Sequence, residues 1–159
     1  MTLVDHLSAD DVMLDVDLSN KRALLQGLAG IVAPKLGRSE GEILDALLAR
    51  ERLGSTALGR GVALPHARLP GDLPPLMLFA RLRRPIDYEA KDDEPVDLVI
   101  LVLWPEESPE GFLPALSDTC RALREPLTLR QLRTAPSAAE VVTLLHRHAR
   151  PDSDAAGEE

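Results

Sequence analysis

The spacing of apolar positions changes several times along this chain, and each change marks a different element. In VMLDVDL (12–18) apolar and acidic residues alternate, the period of a half-buried strand. Ser19 then reads as the cap of a helix through NKRALLQGLAGIVAPKLG (20–37). Leu24, Leu25, Leu28, Ile31 and Val32 share one face of it, and Gly37 is its stop. Pro34, late in that stretch, predicts a kink or an early end. Ser39 and Glu42 have capping-box spacing at the head of SEGEILDALLARERLG (39–54), whose buried stripe is Ile43, Leu44, Leu47 and Leu48 and whose stop is Gly54. The two form a helical hairpin.

Periodicity then shortens. GVALP (61–65) is apolar and bounded by turn residues, LMLFARLRRPI (76–86) becomes polar at Arg83 and Arg84, and VDLVILVLW (96–104) is a continuous aliphatic run. Such a run suits a central strand covered on both faces. Three helices follow: 109–124, with Pro114 in its first turns; 126–134; and one beginning at Ser137, with Glu140 three residues on, and ending near 149. The order is βααβββααα. Without strict βα alternation, it predicts an α/β fold with a mixed β-sheet covered by helices on both faces, an α/β/α sandwich. Residues 3–149 form the domain, and PDSDAAGEE beyond 150 is expected to be an acidic disordered tail (150–159).

Composition narrows the function. At 159 residues and 45% hydrophobic there is ample material for one core. No apolar run approaches the ~18 residues needed to cross a bilayer, so no membrane insertion is expected. The opening MTLVDHLSADD lacks a basic region and a long apolar segment, and Cys120 is the single cysteine. Both fit a cytoplasmic protein without disulfides or a thiolate metal site. A formal charge of −8 argues against nucleic-acid binding through phosphate contacts, and 3% aromatic residues leave little surface for stacking on bases.

Candidate chemistry gathers at one of four histidines. His6 has no local partner, and His146 and His148, two apart on a helix, face different ways and cannot share a metal. His66 is different. It follows GSTALGRGVALP (54–65), where glycines, Gly61 among them, let backbone N–H groups approach an anion. Ser55 and Thr56 offer hydroxyl donors, and Arg50, Arg60 and Arg68 offer positive charge. A histidine that accepts a phosphoryl group needs an accessible nitrogen, a fixed tautomer and donors for the phosphate oxygens. The same residues also read as a turn histidine among ordinary surface arginines, and the pattern alone leaves both open.

ARERLGSTALGRGVALPHAR (49–68) resembles the signature of the fructose/mannitol-type enzyme IIA domains of the bacterial phosphoenolpyruvate-dependent phosphotransferase system. RRPIDYEAKDDEPVDLVILVLWP (83–105) and APSAAEVVTLL (135–145) are similar to further segments of that family, so the likeness runs over roughly residues 3–148. With no transporter or carrier domain fused to it, the chain is expected to stand closest to the stand-alone nitrogen-regulatory members. The resemblance implies that His66 is phosphorylated, on Nε2, by an HPr-like phosphocarrier, with Arg50 and Thr56 helping to bind the phosphate. It implies no cofactor or metal, and as partners the carrier and regulatory targets such as a sensor kinase or transporter. A sugar-specific IIA component relaying phosphate to a IIB domain, and a non-catalytic binding module of the same fold, are the alternatives. One departure stands out: the family commonly carries a second histidine where this chain has Phe112-Leu113-Pro114.

Overall fold

The computed structural model describes Val4 and residues 7–149, with the backbone alone for His148 and Ala149; His6 and the 150–159 tail lie outside the described residues. Six strands and five helices make an α/β fold with a mixed sheet. The described residues fall into two compact units, one from Met13 to Pro109 and the other from the segments before and after it.

The first unit holds the sheet. Strand β1 is Val12–Val16, followed by α1 (Lys21–Leu36) and α2 (Glu40–Arg52). The strand ends at Val16, two residues before its expected limit, with Asp15 at a positive φ of 57° just inside that end. Helix α1 starts one residue later than Ser19 predicts. Its cap is Asn20, whose side chain accepts the Ala23 N–H at 2.8 Å. Pro34 does not end the helix early. It sits in the last turn, where its missing N–H forfeits only the bond to the Gly30 carbonyl, and Gly37 closes the helix at φ 65°. Ser39 caps α2 by accepting the Glu42 N–H at 3.1 Å.

The four expected strands are six. The apolar run at 61–65 holds only β3 (Val62–Ala63); β2 (Ala57–Gly59) before it forms a hairpin with β3, and β4 (His66–Leu69) follows after Leu64-Pro65. β5 (Leu76–Ile86) and β6 (Val96–Pro105) agree with their expected ranges to within a residue. The sheet order is β1-β5-β6-β3-β2. β5 lies antiparallel to β6, whereas β3 and then β4 run parallel to it, with Val62 opposite Leu98 and His66 opposite Val102. HARL carries no strand signal of its own, because four residues with one arginine out and one alanine in give too little periodicity. Pairing with β6 supplies what the local pattern lacks.

Helices α1 and α2 set Leu24, Leu28, Ile43 and Leu47 against Leu78, Ala80 and Leu82 of β5 and Val99, Leu101 and Leu103 of β6. Each leucine, isoleucine or valine among them contributes about 1.5–3 kcal/mol when fully buried. Leu98, Ile100 and Val102, which alternate with them along β6, are buried too, so the central strand is covered on both faces as its composition predicts.

In the second unit, α3 (Phe112–Ala122) begins three residues later than expected, after Gly111 at φ 88°, and carries Pro114 in its first turn. Helix α4 (Pro126–Thr134) has the expected range. In α5 (Ala138–Ala149), Ser137 accepts the Glu140 N–H at 3.2 Å. His146 Nε2 lies 3.2 Å from the Leu7 carbonyl, a structural tie between α5 and the N-terminal segment. No described helix is long and apolar enough to cross a membrane.

Candidate functional site

Three neighbouring breaks in regular structure build the site: the end of α2, the turn after it, and the step from β3 to β4. The α2 C-cap is Leu53, and Gly54 then takes φ 143°, which a side chain rarely adopts. That turn brings residues 54–56 back beside β3, where Leu64 N–H bonds the Thr56 carbonyl at 3.0 Å. Pro65 carbonyl accepts the Val102 N–H at 3.0 Å, which anchors the start of β4 to the central strand.

His66 is the first residue of β4 and half-buried. Its Nδ1 lies 2.8 Å from the Leu64 carbonyl, and Arg50 Nε donates to its Nε2 at 3.2 Å. A carbonyl can only accept, so Nδ1 carries the proton; an Arg N–H can only donate, so Nε2 presents its lone pair. Both partners specify the same tautomer. Burial is the main force pulling the imidazole below its ordinary value of 6.5; the Leu64 hydrogen bond opposes this, Arg50 lowers it further, and Glu51 raises it. The ring is therefore neutral at pH 7, with a nucleophilic nitrogen held against a guanidinium. Arg50 is itself positioned: its Nη1 donates to the Gly54 carbonyl at 3.0 Å, tying it across the end of its own helix.

Beside Arg50, Glu51 organises the turn. Its side chain is only 6% exposed and pairs with Lys21 Nζ at 3.0 Å. It accepts the Thr56 N–H at 3.1 Å, the Thr56 hydroxyl, and the Tyr88 hydroxyl at 3.0 Å. Lys21 lies 4.6 Å from the Tyr88 ring centroid. Burial first, and the neighbouring Glu51 carboxylate second, push the Tyr88 phenol far above its usual range, so it serves as a fixed donor.

The expected residues divide. Arg50 and His66 meet directly. Thr56 is close in the fold, but its hydroxyl is engaged by Glu51. Ser55 donates its hydroxyl to the Tyr88 carbonyl at 3.0 Å and accepts the Ala57 N–H at 3.2 Å, so it braces the turn. Gly61 does not belong with His66. Its carbonyl accepts the Asp97 and Leu98 N–H groups, whereas His66 sits opposite Val102, a separation of about 15 Å along the strands. Its positive φ, with those of Gly59 and Arg60, serves the β2–β3 turn. Arg60 belongs to that turn, its N–H bonded to Asp92 Oδ2 at 3.0 Å, while exposed Arg68 shares the His66 face of β4. Phe112, where the resemblance implied a second histidine, opens α3 and is buried. Glu51, Tyr88 and Lys21 complete the site without being marked by any local pattern in the sequence. The only trace of them was Glu51 next to Arg50, because Lys21 and Tyr88 join the site from elsewhere in the chain.

Comparison with known proteins places the chain in a family and its fold among solved structures. Residues 5–148 match the family described as "Phosphoenolpyruvate-dependent sugar phosphotransferase system, EIIA 2". A nitrogen regulatory protein from Bradyrhizobium diazoefficiens is 39% identical over 145 residues, covering 91% of this chain and 95% of that one. The crystal structure of nitrogen regulatory protein IIA-Ntr from Neisseria meningitidis superposes with a TM-score of 0.85 at 32% identity, covering 89% of this chain and 97% of that chain. The IIA mannitol structure from Escherichia coli shares the fold, with a TM-score of 0.74 at 19% identity over 87% of this chain and 98% of its own. This chain belongs to the EIIA type 2 family of the phosphoenolpyruvate-dependent phosphotransferase system.

Proposed function

We propose that His66 accepts a phosphoryl group on Nε2 from the phosphohistidine of an HPr-like carrier, and that the modified site regulates protein partners, as the names of its nitrogen-regulatory relatives suggest. The observation that carries this is the doubly specified tautomer: Nδ1–H on the Leu64 carbonyl, the Nε2 lone pair at Arg50. As Nε2 attacks phosphorus, an N–P bond forms on His66 and the donor's N–P bond breaks, so one phosphoramidate replaces another. Positive charge develops on the ring, and the Leu64 carbonyl stabilises it through Nδ1–H. Arg50 moves its donors from the consumed lone pair to the phosphoryl oxygens, which keeps the incoming charge paired. Glu51, held by Lys21, Thr56 and Tyr88, fixes the turn on which Arg50 rests. Leu53, exposed at the end of the same helix, gives a carrier an apolar contact beside the nucleophile.

Phosphorylation adds about 1.5–2 negative charges to this face, and partners that prefer one charge state read the signal. Intact-mass spectrometry after incubation with phosphoenolpyruvate, enzyme I and an HPr-like carrier tests the chemistry. One acid-labile phosphoryl group on the wild type, absent from His66→Ala, is expected. An unmodified chain beside a phosphorylated carrier overturns it.

A further inference from the structure

Beside Glu51, a cavity of about 400 Å³ is lined by Lys21, Arg22 and Leu25 of α1, Leu48, Glu51 and Arg52 of α2, and Glu89 after β5. Its volume falls in the range of small-ligand sites. Its charges are unevenly matched. Lys21, 15% exposed, is shared by Glu51 and by Glu89, which reaches it at 3.1 Å from a side chain 74% exposed. Arg22 and Arg52 line the same space, and among the described residues neither side chain has a hydrogen-bond or ion-pair partner. Lys21 thus already holds one anionic oxygen from a displaceable, solvated carboxylate, with two uncommitted guanidinium groups beside it. Leu25 and Leu48 give the space an apolar floor.

We infer that this cavity is a binding site for a small organic dianion, a short carbon chain bearing two carboxylate or phosphate groups. One group displaces Glu89 on Lys21, the other pairs with Arg22 and Arg52, and the carbon chain lies on Leu25 and Leu48. Occupancy reaches His66 through the shared wall. An anion that draws Lys21 away from Glu51 leaves that carboxylate less compensated, next to the arginine that holds the imidazole. The coupling rests on the proposed role of His66; the binding does not.

Amide and imidazole NMR on the unphosphorylated full chain, titrated with succinate at constant ionic strength, tests both parts. Saturable shifts at Lys21, Arg22, Glu51 and Arg52 are expected, with a Kd of about 0.1–1 mM. Arg22→Gln and Arg52→Gln each weaken binding about tenfold. Glu89→Gln tightens it about threefold, whereas Asp72→Asn, an equal charge change near the other end of α2, leaves it within about twofold. Inorganic phosphate, which cannot span both groups or use the apolar floor, binds more weakly than succinate. Succinate raises the His66 titration midpoint. Shifts that track ionic strength alone, or that persist unchanged in both arginine variants, overturn the site; phosphate binding as tightly as succinate overturns the ligand class. Saturable binding that leaves the His66 titration unmoved overturns the coupling. None of these readouts depends on phosphoryl transfer, so a chain that fails to accept phosphate can still pass or fail them.

Discussion

At the scale of single residues, the behaviour of His66 follows from what its two nitrogens touch. Its folded value lies below 6.5, so the unfolded chain protonates first as the pH falls. Two consequences share that sign. The proposed phosphoryl acceptance slows as the pH falls through the folded value of His66, because the nucleophilic lone pair is protonated, and levels off well above it. The contribution of His66 to stability is complete above the unfolded value and is lost as the pH falls through the folded one. Rate profiles and urea midpoints between pH 5 and pH 8 check both, with His66→Ala removing this part of the stability profile. Arg50→Gln separates charge from nucleophile: it removes an influence that lowers the imidazole's value, so the NMR titration midpoint rises, and acceptance slows about 10²-fold as the phosphoryl oxygens lose their guanidinium. His66 and Arg50 were legible in the sequence because both lie in one short stretch whose composition is unusual for this chain. Gly61 was misplaced by the same reasoning, since proximity in sequence says nothing about which end of a strand a glycine serves.

At the scale of elements, α2 carries the site through two adjacent residues that point in different directions. Arg50 turns toward β4, and Glu51 toward the loop after β5 and the first turn of α1. The Glu51 cluster joins Lys21, Thr56 and Tyr88 across long sequence separations, and no periodicity in the chain announces such a meeting. It is nevertheless a large local source of stability. Glu51→Leu leaves the largely buried Lys21 paired only with the exposed Glu89, and the Thr56 and Tyr88 hydroxyls bonded only to each other, and a loss of about 3 kcal/mol is expected from chemical denaturation. Tyr88→Phe removes one hydrogen bond to a carboxylate and costs about 1.5–3 kcal/mol. Asn20→Ala, which uncaps the helix presenting Lys21, costs about 1 kcal/mol. If Glu51→Leu denatures at the wild-type midpoint, the cluster does not brace the turn that carries Arg50. The helices themselves were legible because 13–16 residues of a 3.6-residue period leave little ambiguity, whereas β2 and β4 were not, being short strands whose existence depends on neighbours distant in sequence.

At the scale of the whole molecule, the mixed sheet follows from β6. A run of aliphatic residues without polar alternation must be covered on both faces, and it accepts β5 antiparallel on one edge and β3 with β4 parallel on the other. That arrangement sets His66 at the start of a strand, beside the break between two short parallel pieces, where a side chain can be both anchored and reachable. Core and surface leucines should then differ sharply in cost. Leu101 lies opposite Leu78 on β5, is fully buried and belongs to the cluster with α1 and α2; Leu113, on the first turn of α3, is 72% exposed. Leu101→Ala removes apolar surface and leaves a cavity that the close-packed sheet cannot fill, at a cost of about 2–5 kcal/mol. Leu113→Ala changes stability by less than about 0.5 kcal/mol. Urea titrations of both variants against wild type decide the matter. A Leu101→Ala loss no larger than that of Leu113→Ala would mean that β6 is not the covered centre of the sheet, and the anchoring of His66 through Val102 would lose its foundation.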